Sequence, residues 1–511
     1  MRAHLLSSRP ASSEDHASPT RPSHHAASVQ APQTALPRHE EAAAADTAGR
    51  PAPYKRRPPR VEPWRAILPA LALLWAPPAH AGNQDSFFLS NDAALTAGAV
   101  VALPGDLGAP WYNPAGLASI PRASVDVSAS AFVLRLQDIP DALETQLPDG
   151  TAESQDLQNT QLLSVPSSLV FARRLSPKLA LAFGVFVPSQ ESISLGTDTQ
   201  TAVQPQDAST EYRQDLQLDA QVTRTHLGPS LAYSLSPDLR LGASLFGVYR
   251  LADLSSQHWA GYKSDPRGNA FGLQQQQSTS TGLGAEAVLG LQWNPTPHLH
   301  LGLTARSPLA LFKLWTSSED LTVRASDPRN NNPNLVLLPT QGEEAQGVQL
   351  IAPARVHLAA GWLQDHLWLG AEADLTLPLD NQDLGVQTRT IWNARIGARV
   401  PTSPNFMLGG GLFTDRSISP DPDALGELRV DYYGASFGAQ WATPYPLAPR
   451  EDGASDLTLS TTASLRYALG VGQAGGLRFE PSAPQGQILT DRPVDVVFHE
   501  LGFHLGSTIS F

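Results

Sequence analysis

Six arginines, Arg240, Arg250, Arg306, Arg355, Arg395 and Arg399, lie in segments whose side chains alternate, and all six take the polar parity. A guanidinium on such a face can hold a carboxylate through paired hydrogen bonds. Glu286, Glu372, Asp374 and Glu500 share that parity, so the arginines can also form a network with these acids. A second grouping is compact: Trp111-Tyr112-Asn113-Pro114-Ala115-Gly116-Leu117-Ala118. Here Asn113 can cap a short helix that begins at Pro114, a residue suited to the first helical position. In isolation this pair reads as a capped turn.

Enzymatic chemistry finds little support. Ser and His are plentiful, but no spacing pairs a nucleophile with a base. Gly282-Leu283-Gly284 lies inside an alternating run and is not a phosphate loop. His24-His25 and His298-Leu299-His300 lack the carboxylate or Cys neighbours of a zinc site. Asp327 to Asn334 is acidic and amide-rich, and it reads as a solvated loop before it reads as a Ca²⁺ loop. The expectation is a chain that is no enzyme and needs no metal or cofactor.

What must position these residues is a sheet. The 511-residue chain is 41% hydrophobic and 16% charged, with mean hydropathy −0.19. No set of spanning helices hides in those values, whereas a membrane barrel can, because lipid-facing and lumen-facing residues average out along each strand. The formal charge of −13 argues against nucleic acid. Cys is absent, which removes disulfides and thiolate sites together and suits passage through an oxidising compartment.

The closing stretch alternates cleanly. Leu501, Phe503, Leu505, Ile509 and Phe511 share one face, opposite Glu500, Gly502, His504, Gly506, Thr508 and Ser510. Similar runs recur from Ala123 onward, and about fourteen strands are predicted, among them Ala123 to Leu136, Gln161 to Arg174, Lys178 to Pro188 and Ser278 to Trp293. Their connections alternate in length. Ser176-Pro177, Ser236-Pro237-Asp238 and Asn294 to Pro297 are tight turns, while Gln137 to Thr160, Ser189 to Leu216, Ser255 to Gln277 and Leu314 to Gln346 read as long polar loops. Short turns on one side and long loops on the other are the outer-membrane arrangement. Trp293, Trp362 and Trp441 take the lipid parity near the turns, as an interfacial girdle does, and Trp368 takes the lumen parity. A soluble sandwich or solenoid is the competing all-β fold, and its strands are usually shorter.

Before the strands come three regions. Residues 1–54 are rich in Ala, Pro, Ser, Thr and His and are expected to be disordered. Residues 55–81 read as a secretory signal, with a basic flank (Lys55, Arg56, Arg57), an apolar run from Ala66 to Ala76 and a cleavage site at Ala79-His80-Ala81. For so deep a signal the expectation is a start codon assigned too far upstream, with a genuine amino-terminal extension as the alternative. Residues 82–122 form a small segment ahead of the barrel, residues 123–511.

That segment resembles the hatch of the FadL-type family of outer-membrane transporters for long-chain fatty acids and other hydrophobic compounds. The likeness rests on the small residues Ala93 to Ala99 followed by Tyr112-Asn113-Pro114-Ala115-Gly116-Leu117, with strand echoes at Leu175 to Leu181 and Leu235 to Gly242. The resemblance implies a barrel plugged by an amino-terminal helical hatch. It implies passive uptake of fatty acids or aromatic hydrocarbons into a pocket above the hatch, then sideways release beside the third strand. It implies that Asn113, Pro114 and Ala115, in a hatch motif completed by Gly116, sit against an inward kink in that strand, where Gly184 either permits the bend or serves strand packing. Outer-membrane lipid and the barrel-assembly machinery, through the last strand, are the implied partners of a monomer in a Gram-negative outer membrane. Phe271, Leu311, Phe312 and Trp315 are apolar residues expected either at the capture surface or as a cover over the barrel mouth. A diffusion porin and a structural or adhesin barrel are the alternatives.

Overall fold

The computed structural model describes Asn83 and residues 87–120, 123–146, 152–188, 190–202, 210–264, 270–325, 334–345, 347–422, 426–445, 457–480 and 487–511. The expected extension and signal fall outside these residues. Among the described residues, eighteen hydrogen-bonded segments make one sheet. Several continue one another across a break of a few residues, and joining them leaves fourteen wall strands. β1 is Ala123–Gln146, β2 is Ala152–Ser176, and β3 runs in two halves, Leu179–Phe186 and Gln190–Ala202. β4 is Thr210–Ser234, β5 is Leu239–Ser264 and β6 is Ala270–Trp293. β7 joins Leu299–Arg306 to Leu309–Ala325, and β8 joins Asn334–Ala345, Gln349–Ala352 and Arg355–Gln364. β9 is Leu367–Thr376, β10 Ile391–Ser403, β11 Phe406–Asp415, β12 Leu428–Tyr445, β13 Leu457–Glu480 and β14 Gln487–Ser510.

Each strand pairs antiparallel with its sequence neighbour, and β14 returns to β1 from Ser124↔Ser510 to Asp138↔Val497. The sheet therefore closes and has no free edge at that seam. Closure is what lets a β structure live in lipid, where unpaired peptide groups cost several kcal/mol each. No described helix is long and apolar enough to cross a membrane, and the strands do the crossing.

Alternation sorts the side chains as expected. On β5 and β6, Leu241, Leu245 and Leu289 are exposed on the outer face, while Ser244, Phe246 and Val288 are buried within. Trp293, Trp362 and Trp441 are exposed on the outer face, and Trp368 is buried. The tight turns owe their shape to serine hydroxyls. Ser176 Oγ accepts from the Lys178 and Leu179 amides, and Ser236 Oγ accepts from the Asp238 and Leu239 amides; proline follows each serine and presets the bend.

Strand length is where the structure departs from the pattern. β1 continues to Gln146 and β2 begins at Ala152, so most of the expected loop Gln137 to Thr160 is strand. A tilted strand needs only about 9–11 residues to cross the bilayer, and β5 has 26. Beyond the lipid no solvent preference enforces alternation, yet the ladder goes on, and residues such as Gln274 to Gln277 pair across to β5 without an apolar signature. Placing Arg at Leu289, on the lipid face near the middle of the membrane, should cost about 2–4 kcal/mol in folding into vesicles. Gln275→Arg, on the same parity of the same strand but beyond the membrane, should cost under about 0.5 kcal/mol in the same titration.

Candidate functional site

Residues 87–120 fill the barrel lumen with short turns of helix. Ser90 caps α1, Asn91–Leu95, its side chain accepting from the Ala93 amide at 3.0 Å. The run Ala93 to Val101 is buried throughout, and small residues are what allow backbone to thread a space bounded by wall strands. Ala97 and Gly98 take positive φ and reverse the chain after α1. α2, Ala109–Tyr112, leads into a 3₁₀ turn, Pro114–Ser119, which Asn113 caps by accepting from the Ala115 amide at 3.2 Å. The Asn113 amide nitrogen donates to Val101 O within the hatch (2.8 Å) and to Leu291 O on β6 (3.1 Å). One side chain thus caps a turn, closes the hatch on itself and fastens it to the wall.

The wall makes room with glycine. A Cβ at Gly290 would lie 2.0 Å from Asn113 Oδ1, and one at Gly242 would lie 2.2 Å from the Pro114 carbonyl carbon. Gly302, Gly397, Gly409 and Gly506 on β7, β10, β11 and β14 meet the hatch at Val101, Thr96, Leu95 and Asn91 in the same way. The Asn-Pro-Ala-Gly turn therefore lies against β5 and β6, with Gly116 also near Gln292. The resemblance implied the β3 kink instead. Trp111 meets β3 at Phe186 (ring centroids 5.5 Å) and β5 at Phe246 (5.9 Å), and the 3₁₀ turn after it touches β3 as well.

A narrow pocket opens on the side of the hatch away from the tight turns. Phe87, Phe88, Trp111, Tyr112 and Phe413 line it together with Arg306, Arg355 and Arg395. These arginines are part of the predicted acid network. Arg306 pairs with Glu286, donates to Trp111 O (2.7 Å) and stacks its guanidinium on the Trp111 ring at 3.9 Å. Arg395 bridges Glu372 (2.9 Å) and Asp374 (3.0 Å), and Arg355 lies 3.5 Å from Asp374. The remaining three predicted arginines lie elsewhere. Arg399 pairs with Asp92 of the hatch, Arg240 sits beside the β4–β5 turn at Pro237 O, and Arg250 lies higher on β5 beside Ser280. Glu500 joins Arg135 and Arg466. The expected capture group does not assemble: Leu311 is buried inside, Phe312 and Trp315 are exposed outside, and the Phe271 side chain is outside the described residues. Phe87, Phe88 and Trp111 carry no pattern that marks them as pocket residues; their only signal is aromatic bulk in an otherwise small-residue segment.

At the same height the wall itself opens. The β2–β3 ladder runs to Ser168↔Phe186, and one further backbone bond joins the Val187 amide to Ser167 O. Beyond it the upper half of β3 pairs with β4, from Gln190↔Thr223 upward, while β2 pairs with β1. Among the described residues only side chains bridge the parted strands: Gln161 donates to Ser192 Oγ (3.3 Å) and Arg135 to Gln190 O (3.2 Å). Phe87, Val133 and Leu163 pack together at this break, with Val187 against them. Gly184 does not make the bend. It sits in regular ladder between Val170 and Gly228, and its bare Cα leaves space for the Phe186 ring, which a Cβ would meet at 2.4 Å. The break falls at Val187-Pro188, where proline removes an amide from the ladder.

Residues 77–325 match the sequence pattern of the outer membrane protein transport protein family (OMPP1/FadL/TodX). Over this stretch, just under half of the chain, the sequence is similar to that family. Its fold is that of a Pseudomonas aeruginosa FadL homologue, with TM-score 0.53 at 16% identity over 85% of this chain and 100% of that one. The Pseudomonas putida toluene transporter TodX aligns at 12% identity over 84% and 100% of the two chains, with TM-score 0.49. The Ralstonia pickettii toluene transporter TbuX aligns at 13% identity over 84% and 99%, with TM-score 0.46. No curated protein matches the sequence. The closed wall plugged by residues 87–120 is thus a FadL-type barrel fold, in a chain whose sequence is similar to a family of outer-membrane transport proteins.

Two expectations test the hatch of this FadL-type barrel. Asn113→Ala removes the cap and the donor to Leu291 O, and leaves Val101 O with Gln292 alone, so hatch seating should weaken by about 1–3 kcal/mol. Hydrogen exchange over residues 87–120 should rise while the barrel ladder stays protected. Asp106 is buried and accepts from the Gly108 amide at 3.0 Å. Burial pushes its carboxyl up to about 8, the Asp92 charge adds to this and Asp126 adds a little, while bonds from Gly108 and Ser90 oppose it. A raised carboxyl pKa stabilises the seated hatch most below the ordinary Asp value of 3.8 and loses that contribution as pH climbs through about 8. Protection factors over the hatch, corrected for the base-catalysed rise of intrinsic amide exchange, should therefore fall between about pH 5 and about pH 8 and level off above, and Asp106→Asn should flatten that profile.

Proposed function

We propose that this barrel takes up hydrophobic compounds passively, long-chain fatty acids foremost, through the pocket over the hatch and out sideways beside β3 into the membrane. The observation that carries this reading is continuity. Phe87 lines the pocket and also packs with Val133 and Leu163 at the parted strands, so apolar surface runs from lumen to wall break. An alkyl chain gains about 0.8 kcal/mol for each methylene kept from water. Such a chain favours apolar walls followed directly by lipid over an aqueous pore. Arg306, Arg355 and Arg395 supply donors for a carboxylate at the pocket's polar side. A hatch whose backbone meets wall glycines on β5, β6, β7, β10, β11 and β14 speaks against a diffusion porin, which needs an open water column. The chain would be exported by its signal segment, mature from about Gly82, inserted through recognition of β14, and work as a monomer.

The break can be closed covalently, because the chain lacks Cys and Gln161 and Ser192 touch across it. A Gln161→Cys, Ser192→Cys pair should lose most uptake of labelled oleate when joined by a short reducible bis-methanethiosulfonate linker and regain it on reduction, with each single variant unaffected. Full uptake through the pair, shown linked by mass spectrometry, would reject sideways release. The same assay with labelled toluene separates an alkyl-acid carrier from an aromatic-hydrocarbon carrier.

A further inference from the structure

On the outer wall, far round the barrel from β3, the smooth lipid face is interrupted. Ala394, Thr414 and Ala435, on β10, β11 and β12, lie between the larger Ile396, Leu412, Tyr433 and Tyr467 and leave an apolar groove of about 530 Å³. Ladder register brings these residues side by side. The Ala394 amide donates to Thr414 Oγ1 at 3.0 Å, and on the next pair of strands Thr414 lies opposite Tyr433 and Leu412 opposite Ala435.

Directly above the groove, away from the turns, the same strands end in cations. Arg416 stacks its guanidinium on the exposed Trp392 ring at 4.3 Å, and its Nε has no hydrogen-bond partner among the described residues. Arg389 lies 3.5 Å from Asp431 and donates to Ser417 O at 3.1 Å, and it is close enough to Arg416 and Arg429 to be repelled by both. Arg429 pairs with the exposed Asp421. Of the three arginines, Arg416 is the one with no acid beside it among the described residues. The span from Trp392 to the turn after Ser403 is close to the roughly 9–11 residues a tilted strand needs to cross the bilayer. Trp392 and Arg416 therefore sit at the outer interface, and the groove lies just inside the hydrocarbon.

We infer that this face holds one phosphorylated, acylated glycolipid of the outer leaflet, with an acyl chain in the groove and a phosphate on Arg416, flanked by Arg389 and Arg429. Charge and shape both select it. A phosphate satisfies a guanidinium that has no acid partner, and the guanidinium is already oriented by the Trp392 ring. An acyl chain fills a recess that the small side chains leave between two tyrosines. The inference is independent of what passes through the lumen.

Native mass spectrometry of the full barrel in detergent, titrated with bis-phosphorylated lipid A, tests this. The wild type should retain one lipid. Arg416→Gln and Ala435→Leu should each lower retention about tenfold, Arg416→Lys should keep most of it, and dephosphorylated lipid A should bind as weakly to the wild type as bis-phosphorylated lipid A does to Arg416→Gln. Phosphatidylglycerol retained as well as lipid A would overturn the choice of an outer-leaflet glycolipid. Equal retention by the wild type and both variants, each shown folded by heat-modifiable gel migration, would overturn the site.

Discussion

A peptide group facing hydrocarbon must have its hydrogen bond, and this requirement shapes every part of the barrel. Strands β1 to β14 meet it by pairing with both neighbours, and the β14–β1 seam completes the circle. Wherever the ladder is given up, something else must take over. At the β2–β3 break the replacements are side chains, Gln161 to Ser192 and Arg135 to Gln190. Such bridges hold less firmly than a run of backbone bonds, so this is the part of the wall that can yield with the smallest loss.

The lumen faces the opposite problem, since it must be filled without leaving polar groups bare. Two devices share the task. Around the hatch, wall glycines let backbone lie on backbone, and Asn113 uses its amide to serve carbonyls from both partners. Above the hatch, arginines and acids neutralise each other in the groups Arg306 with Glu286 and Arg395 with Glu372 and Asp374. Buried charges without such partners would be costly. A guanidinium carries five N–H donors, more than one carboxylate takes up, so a network that balances charge can still place donors at the pocket wall.

Much of this was legible because alternation is a two-state signal. The lipid or lumen side of Leu245, Trp392, Arg395 and Glu500 follows from parity alone, and the Ser-Pro turns mark one end of the barrel by their chemistry. Parity says nothing about height or neighbours across the lumen. For that reason six arginines on one face did not resolve into three at the pocket, one under the hatch, one at a turn and one higher up. Strand length was hidden for another reason: above the membrane the ladder needs no apolar face, so Gln274 to Gln277 read as loop although they pair in full.

Gly184 shows how a glycine can mislead. A glycine in a strand suggests a bend because its backbone is permissive, but its other use is to leave room. Phe186 needs that room: its ring, fully buried, lies over Gly184 and against Trp111 and Phe246. The aromatic group anchors the last paired residue of lower β3 to the hatch, and Pro188 follows two residues later. Anchoring comes immediately before interruption. The lower strand is thereby fixed to the plug while the upper half is free to follow β4, and the position of the opening is set by the hatch as much as by the wall.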